Sequence, residues 1–285
     1  MTSTTSDSGK AKVHGGSVPA PGTGRIVAGR FELLSLLGRS HGGELHRARQ
    51  IELGRECAVR LLAAGADGDR LEAASAVSRV NHPNLVSIFD FGVEPGGTMY
   101  LAMELLHGDT LQQLLARRRR LPWRRAVSIA SQVCRGLRAA HAVGIVHRDL
   151  KPASIFLASV GDERDHVKLV DFGLADDDRF GQERLREAGP SAARYAAPEQ
   201  LAFFPVDGRA DVYALGVVLY EMITGRVPFD STDANSIVQG HVHDAPPPFA
   251  VTAPDVECPR ELEAVVMQCL AKRPEGRYGS AAELL

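Results

Sequence analysis

The hydrophobic period of this chain changes once, near Gly108. Before that point apolar residues alternate in short segments parted by turn residues, at Phe31 to Leu37, Glu44 to Arg49, Cys57 to Leu62, Leu85 to Phe91 and Met99 to Glu104. A period of two marks strands with one face inward. One stretch, Arg70 to Val80, reads instead as a helix that ends before His82-Pro83, because proline disfavours helical backbone in its predecessor. After Gly108 the period becomes helical. Trp123 to Val143 sets Ala126, Ile129, Ala130, Val133, Leu137 and Ala140 on one face, and Asp211 to Thr224 is apolar nearly all round, as in a helix at the centre of a lobe. A small strand-rich lobe followed by a larger helical one is an α+β, bilobal architecture with its ligand cleft between the lobes.

Residues 1–25 are built from Ser, Thr, Gly, Pro and Ala without apolar periodicity and read as a flexible tail. The folded domain is expected over 26–285, with a first lobe at about 26–104 and a second at about 108–285. Basic and acidic residues, 33 and 35, nearly cancel to a net charge of -2, too weak a field to imply nucleic acid or an anionic membrane surface. Cys57, Cys134, Cys258 and Cys269 are widely spaced, which argues against a zinc site or a disulfide framework and for a reducing cytoplasm. No apolar run reaches the roughly 20 residues of a membrane helix, so a soluble chain is expected. Arg117 to Arg120 follows a short helix and reads as a solvated helix end, a docking patch being the alternative. The chain stops at Leu285 inside an uncapped helical pattern, which leaves room for a longer parent protein.

Three segments occur in order: His147-Arg148-Asp149-Leu150-Lys151-Pro152, then Asp171-Phe172-Gly173, then Ala197-Pro198-Glu199. Together they form the signature set of protein kinases, and from about Phe31 onward the chain resembles that family. The wording of Tyr195 to Gln200 and of Gly225 to Phe229 resembles the bacterial, eukaryotic-like serine/threonine branch. The resemblance implies ATP and Mg²⁺ as cofactors and a protein substrate or partner. It makes Asp149 the residue that orients the substrate hydroxyl, Lys151 a nearby positive charge, and Asp171 a metal ligand. Adenine would then lie against Leu45, Ala58 and the gating Met103, facing backbone groups of Glu104 and Leu106.

Several positions depart from the family's pattern. The V-A-I-K stretch is Cys57-Ala58-Val59-Arg60, and a wide planar guanidinium cannot hold phosphates in the geometry of a compact ammonium. No lysine lies between Val13 and Leu150 to replace it. The helix glutamate that partners this lysine becomes Ala73, and the adjacent Glu72 is turned about 100° away unless the helix carries an extra residue. The glycine-rich loop keeps Gly38 and Gly43 but has Ser40 at its second glycine, where a Cβ obstructs approach to phosphate. Ser154 stands where an asparagine would reach a second metal ion, and Ala192 replaces a threonine that supports the catalytic Asp and Lys. Residues 174–189 contain no Ser, Thr or Tyr, so phosphorylation cannot switch that stretch. Its acidic run, Asp176-Asp177-Asp178, reads as solvated, with imitation of a phosphate facing Arg148 as the alternative. The expected function is that of a pseudokinase-like homologue that binds nucleotide weakly and works through partner contacts. A slow but genuine kinase is the second expectation, and a scaffold that binds no nucleotide the third.

Overall fold

A computed structural model describes residues 24–40, 43–62, 68–160, 163–172 and 190–285. The expected tail up to residue 23, His41 and Gly42 of the glycine-rich loop and the run Asp176-Asp177-Asp178 lie outside the described residues, as do the side chains of Ser40, Ala73 and Ala192.

Strands β1 (Ile26–Val27), β2 (Phe31–Ser40), β3 (Gly43–Gln50), β4 (Glu56–Leu62), β5 (Ile88–Val93) and β6 (Met99–Met103) form one antiparallel sheet in the order β1-β2-β3-β4-β6-β5. Helix α1 (Gly68–Ser78) packs against it. β4 is central and buried from Cys57 onward, so each of its faces meets apolar neighbours. The period of two sends Cys57, Val59 and Leu61 into one cluster with Phe31, Tyr100 and Ala102. Ala58 and Leu62 enter another with Ala74 of α1, Met99, Leu101 and Met103. Arg60 shares the parity of Ala58 and Leu62, which points a guanidinium out of the sheet on the side of α1 and the cleft; the residue is only 8 % exposed.

The alternation at Leu85 to Phe91 suggests one continuous strand, but β5 begins at Ile88. Leu85 bridges Leu169, and the Val86 amide donates to the Leu169 carbonyl, so this part of the segment pairs with the second lobe.

That lobe carries a small antiparallel sheet, β7 (Gly108–Thr110), β8 (Ile155–Val160) and β9 (Glu163–Leu169), beside helices α2 (Leu111–Arg118), α3 (Trp123–His141), α4 (Pro190–Ala193), α5 (Pro198–Leu201), α6 (Gly208–Thr224), α7 (Ala234–His243), α8 (Phe249–Thr252), α9 (Arg260–Cys269) and α10 (Ala281–Leu284). All six positions of the expected α3 stripe are buried. α6 starts at Asp207, whose side chain accepts from the Arg209 amide, and stops at Gly225, a left-handed residue with φ 77° that glycine adopts without strain. Between those caps it is buried on every side, and an added Cβ at Gly216 would come within 2.6 Å of Cys269 Cβ, so α9 lies directly on its backbone. Deleting a core side chain such as Leu137 here should cost ~2–5 kcal/mol. No helix among the described residues is long and apolar enough to cross a membrane.

Candidate active site

The loop from His147 to Ser154 hangs on one buried carboxylate. Asp211, in the first turn of α6 and 1 % exposed, accepts from the His147 amide at 2.8 Å, the Arg148 amide at 2.9 Å and His141 Nε2 at 2.7 Å. Three donors satisfy a charge that burial alone would make prohibitive. His147 is itself fully buried; its Nε2 lies 3.1 Å from the Val170 carbonyl and its Nδ1 3.4 Å from the Asp149 amide. The tautomer protonated on Nε2 satisfies both. Its ring packs on Phe172, centroids 4.4 Å apart. Arg148 takes a left-handed backbone, φ 64°, its carbonyl accepts from Gln200 Nε2 at 2.8 Å, and burial pulls its guanidinium below the usual arginine range, opposed by Asp211.

Within this frame Lys151 Nζ donates to Asp149 Oδ2 at 2.7 Å. Ser154 is 1 % exposed and spends its hydroxyl on the loop, donating to the Lys151 carbonyl at 2.8 Å and accepting from the Lys151 amide at 2.9 Å. Asp171 follows β9 with φ 68°, and Arg60 Nη1 donates to its Oδ1 at 2.6 Å. Glu72 is exposed on α1, so the helix does not turn it inward.

The expected nucleotide residues fall together. Ala58 and Met103 are cross-strand neighbours in one apolar cluster, with Leu45, Leu106 and Val170 packed against it. Gly38 pairs with Leu45 across β2 and β3, and nothing lies within 4 Å of where its Cβ would stand. Gly43 is different: at φ 122° its Cβ would sit 1.8 Å from the Leu61 carbonyl oxygen, so only glycine fits. Glu104 is fixed by its amide, which donates to the Ser87 carbonyl at 3.0 Å, and by Lys168 Nζ, which donates to its carboxylate at 2.7 Å.

Three contributors go unassigned by the motifs. Asp211 is one of two acids, with Glu221, in a largely apolar helix, and is of a residue type rarely buried without partners. Lys168 gave no signal of its own, and Gln200 lay in the quoted stretch Tyr195 to Gln200 without an assigned role. Glu199 lies in a quoted motif, yet its pairing with Arg277 is a finding of the fold: two hydrogen bonds of 2.7 and 2.8 Å join them in the core, and Arg277 also donates to the Ala271, Arg209 and Lys272 carbonyls.

The region from Phe31 to the last residue is matched, at 31–285, by the protein kinase domain. The chain belongs to the protein kinase family. Among its relatives, the serine/threonine-protein kinase pkn3 of Myxococcus xanthus is 35 % identical over 90 % of this chain and 49 % of its own length. PknB of Mycobacterium leprae is 36 % identical over 90 % of this chain and 42 % of its own length. A probable serine/threonine-protein kinase of Clostridium acetobutylicum is 32 % identical over 92 % and 40 %. This kinase chain thus spans less than half the length of these relatives, which are bacterial serine/threonine kinases, the branch its motif wording resembles.

Proposed function

We propose that this kinase domain binds ATP weakly between its lobes, transfers phosphoryl groups very slowly or not at all, and signals through contacts with a protein partner. The observation that carries the reading is the ion pair between Arg60 Nη1 and Asp171 Oδ1. The residue standing in place of the phosphate-holding lysine is turned onto the carboxylate expected to hold metal. A permanent planar cation there competes with a divalent ion for that oxygen and takes the guanidinium away from the phosphates.

In this reading adenine lies among Leu45, Ala58, Met103 and Leu106 with backbone groups of Glu104 at its edge, while Gly38 and Gly43 frame the phosphate side. Magnesium at nucleotide sites takes one or two carboxylates and completes its shell with phosphate oxygens and water, so Asp171, with 29 % of its side chain exposed, suits one ion that would neutralise phosphate charge. The Ser154 hydroxyl, committed to the Lys151 backbone, is poorly disposed to a second. Asp149 would orient a substrate hydroxyl, and Lys151 would offset charge beside it.

A second reading, a slow but genuine serine/threonine kinase, is favoured by the intact Asp149 and Lys151 pair at 2.7 Å and by the naming of the relatives as kinases. Incubation with labelled ATP, Mg²⁺ or Mn²⁺ and a generic basic protein, beside Asp149→Asn, separates the two. Transfer that disappears in the variant establishes the slow kinase. No transfer, with an ATP-induced thermal shift, supports the pseudokinase reading. Absence of any shift leaves a scaffold without nucleotide.

A further inference from the structure

A cavity of about 410 Å³ opens on the helical lobe where α2, the start of α3 and the β7–β8 sheet meet. Its walls include Arg117, Arg118, Arg125, Asp109 and Asp165. Arg117 is paired in two hydrogen bonds with Asp109, at 3.2 and 2.8 Å, and Arg125 likewise with Asp165, at 2.7 and 2.8 Å. Arg120, further along, pairs with Asp255. The neighbouring Arg118, Arg119 and Arg124 are exposed and make no ion pair among the described residues; Arg124 stacks 4.3 Å from the Trp123 ring. Six arginines thus face three aspartates on a chain whose net charge is -2.

Helix electrostatics do not account for this surplus. Arg117 and Arg118 suit the negative end of α2, but Arg124 and Arg125 occupy the first turn of α3, which has no acidic residue and whose dipole repels cations. A solvated helix end accounts for the run of four and not for the pair across the turn.

We propose that this face is a docking surface for an acidic segment, rich in Asp and Glu, of a partner protein. The two carboxylates inside the cavity favour such a segment over a phosphorylated one. A compact dianion entering the cavity would meet Asp109 and Asp165, whereas spaced single carboxylates along an extended chain can engage Arg118 of the wall and the exposed Arg124 beside Arg125 and leave the internal pairs intact. The surface is separate from the nucleotide cleft and its occupancy does not depend on phosphoryl transfer.

Fluorescence anisotropy tests this with a labelled peptide of alternating acidic and small residues, its Gln and Asn counterpart, and a phosphoserine counterpart. The acidic peptide should bind, lose affinity as ionic strength rises, and bind about tenfold or more weakly to a chain carrying R118E and R124E. Neither residue is in an ion pair among the described residues, and an unchanged denaturation midpoint will show that the variant is folded; R118Q alone should give a smaller loss in the same direction. Equal binding of the amide peptide, no effect of the variants, no binding at all, or preference for the phosphoserine peptide would each overturn the proposal.

Discussion

The Arg60 guanidinium and the Asp171 carboxylate, 111 residues apart in the chain, meet at 2.6 Å. Arg60 is carried there by strand parity and Asp171 by a left-handed residue at the end of β9, so each is held by backbone and neither can drift away cheaply.

Restoring the family's residues at this junction should restore nucleotide binding. Arg60→Lys with Ser154→Asn is expected to tighten ATP binding in Mg²⁺ by about tenfold, ~1.4 kcal/mol, read by thermal shift or calorimetry. An unchanged affinity would move the defect to Ala73 or Ala192.

Asp211 should be a sensitive carboxylate of the second lobe. Asp211→Asn removes the charge and one acceptor oxygen from a site with three donors, and we expect a loss of ~2–3 kcal/mol in urea denaturation. Nucleotide affinity should fall with it, because the loop from His147 to Ser154 hangs on this residue.

The core pair of Glu199 and Arg277 should show opposite responses to single and double change. Glu199→Gln leaves a buried guanidinium uncompensated, costing ~3–5 kcal/mol, while Glu199→Leu with Arg277→Leu should recover part of that loss. Denaturant midpoints of the two variants beside the wild type decide it.

Acid should destabilise the fold through His241. The residue is fully buried, with Nδ1 2.8 Å from the Tyr213 hydroxyl and its ring edge-on to Phe229. Burial, aided by the nearby Lys272 cation, lowers its pKa from 6.5 to about 3. A base with a depressed folded pKa contributes stability above 6.5 that is lost as pH falls toward 3, because the unfolded chain binds the proton first. Between pH 7 and pH 5 this amounts to about 2 kcal/mol. Comparing denaturation midpoints at those two values in the wild type and in His241→Gln isolates the effect, which should shrink in the variant.

Much of this was legible before the fold. The α3 stripe, the centre at α6 and the change of architecture near Gly108 follow from apolar period, because burial acts on every turn of a helix. The replacement at Arg60 was equally plain, being local. Its destination was not: which carboxylate a buried guanidinium selects depends on two segments brought together from opposite lobes. Ser154 shows the same limit. Spacing gave its place on the loop, but whether a short hydroxyl faces a cleft or turns back on its own backbone is fixed by a few tenths of an ångström. The segment at Leu85 misled because alternation reports which side chains are apolar and says nothing of which strand its amides will choose.

That choice has a mechanical meaning. Asn84, Leu85 and Val86 lie between α1 and β5, and are stitched to Leu169 by the Leu169 amide donating to Asn84 and the Val86 amide donating back. Leu169 stands two residues before Asp171. The seam fastens the entry to β5 onto the strand that ends two residues before Asp171, so the backbone leading to that carboxylate is tied to the first lobe by main-chain bonds as well as by the Arg60 side chain.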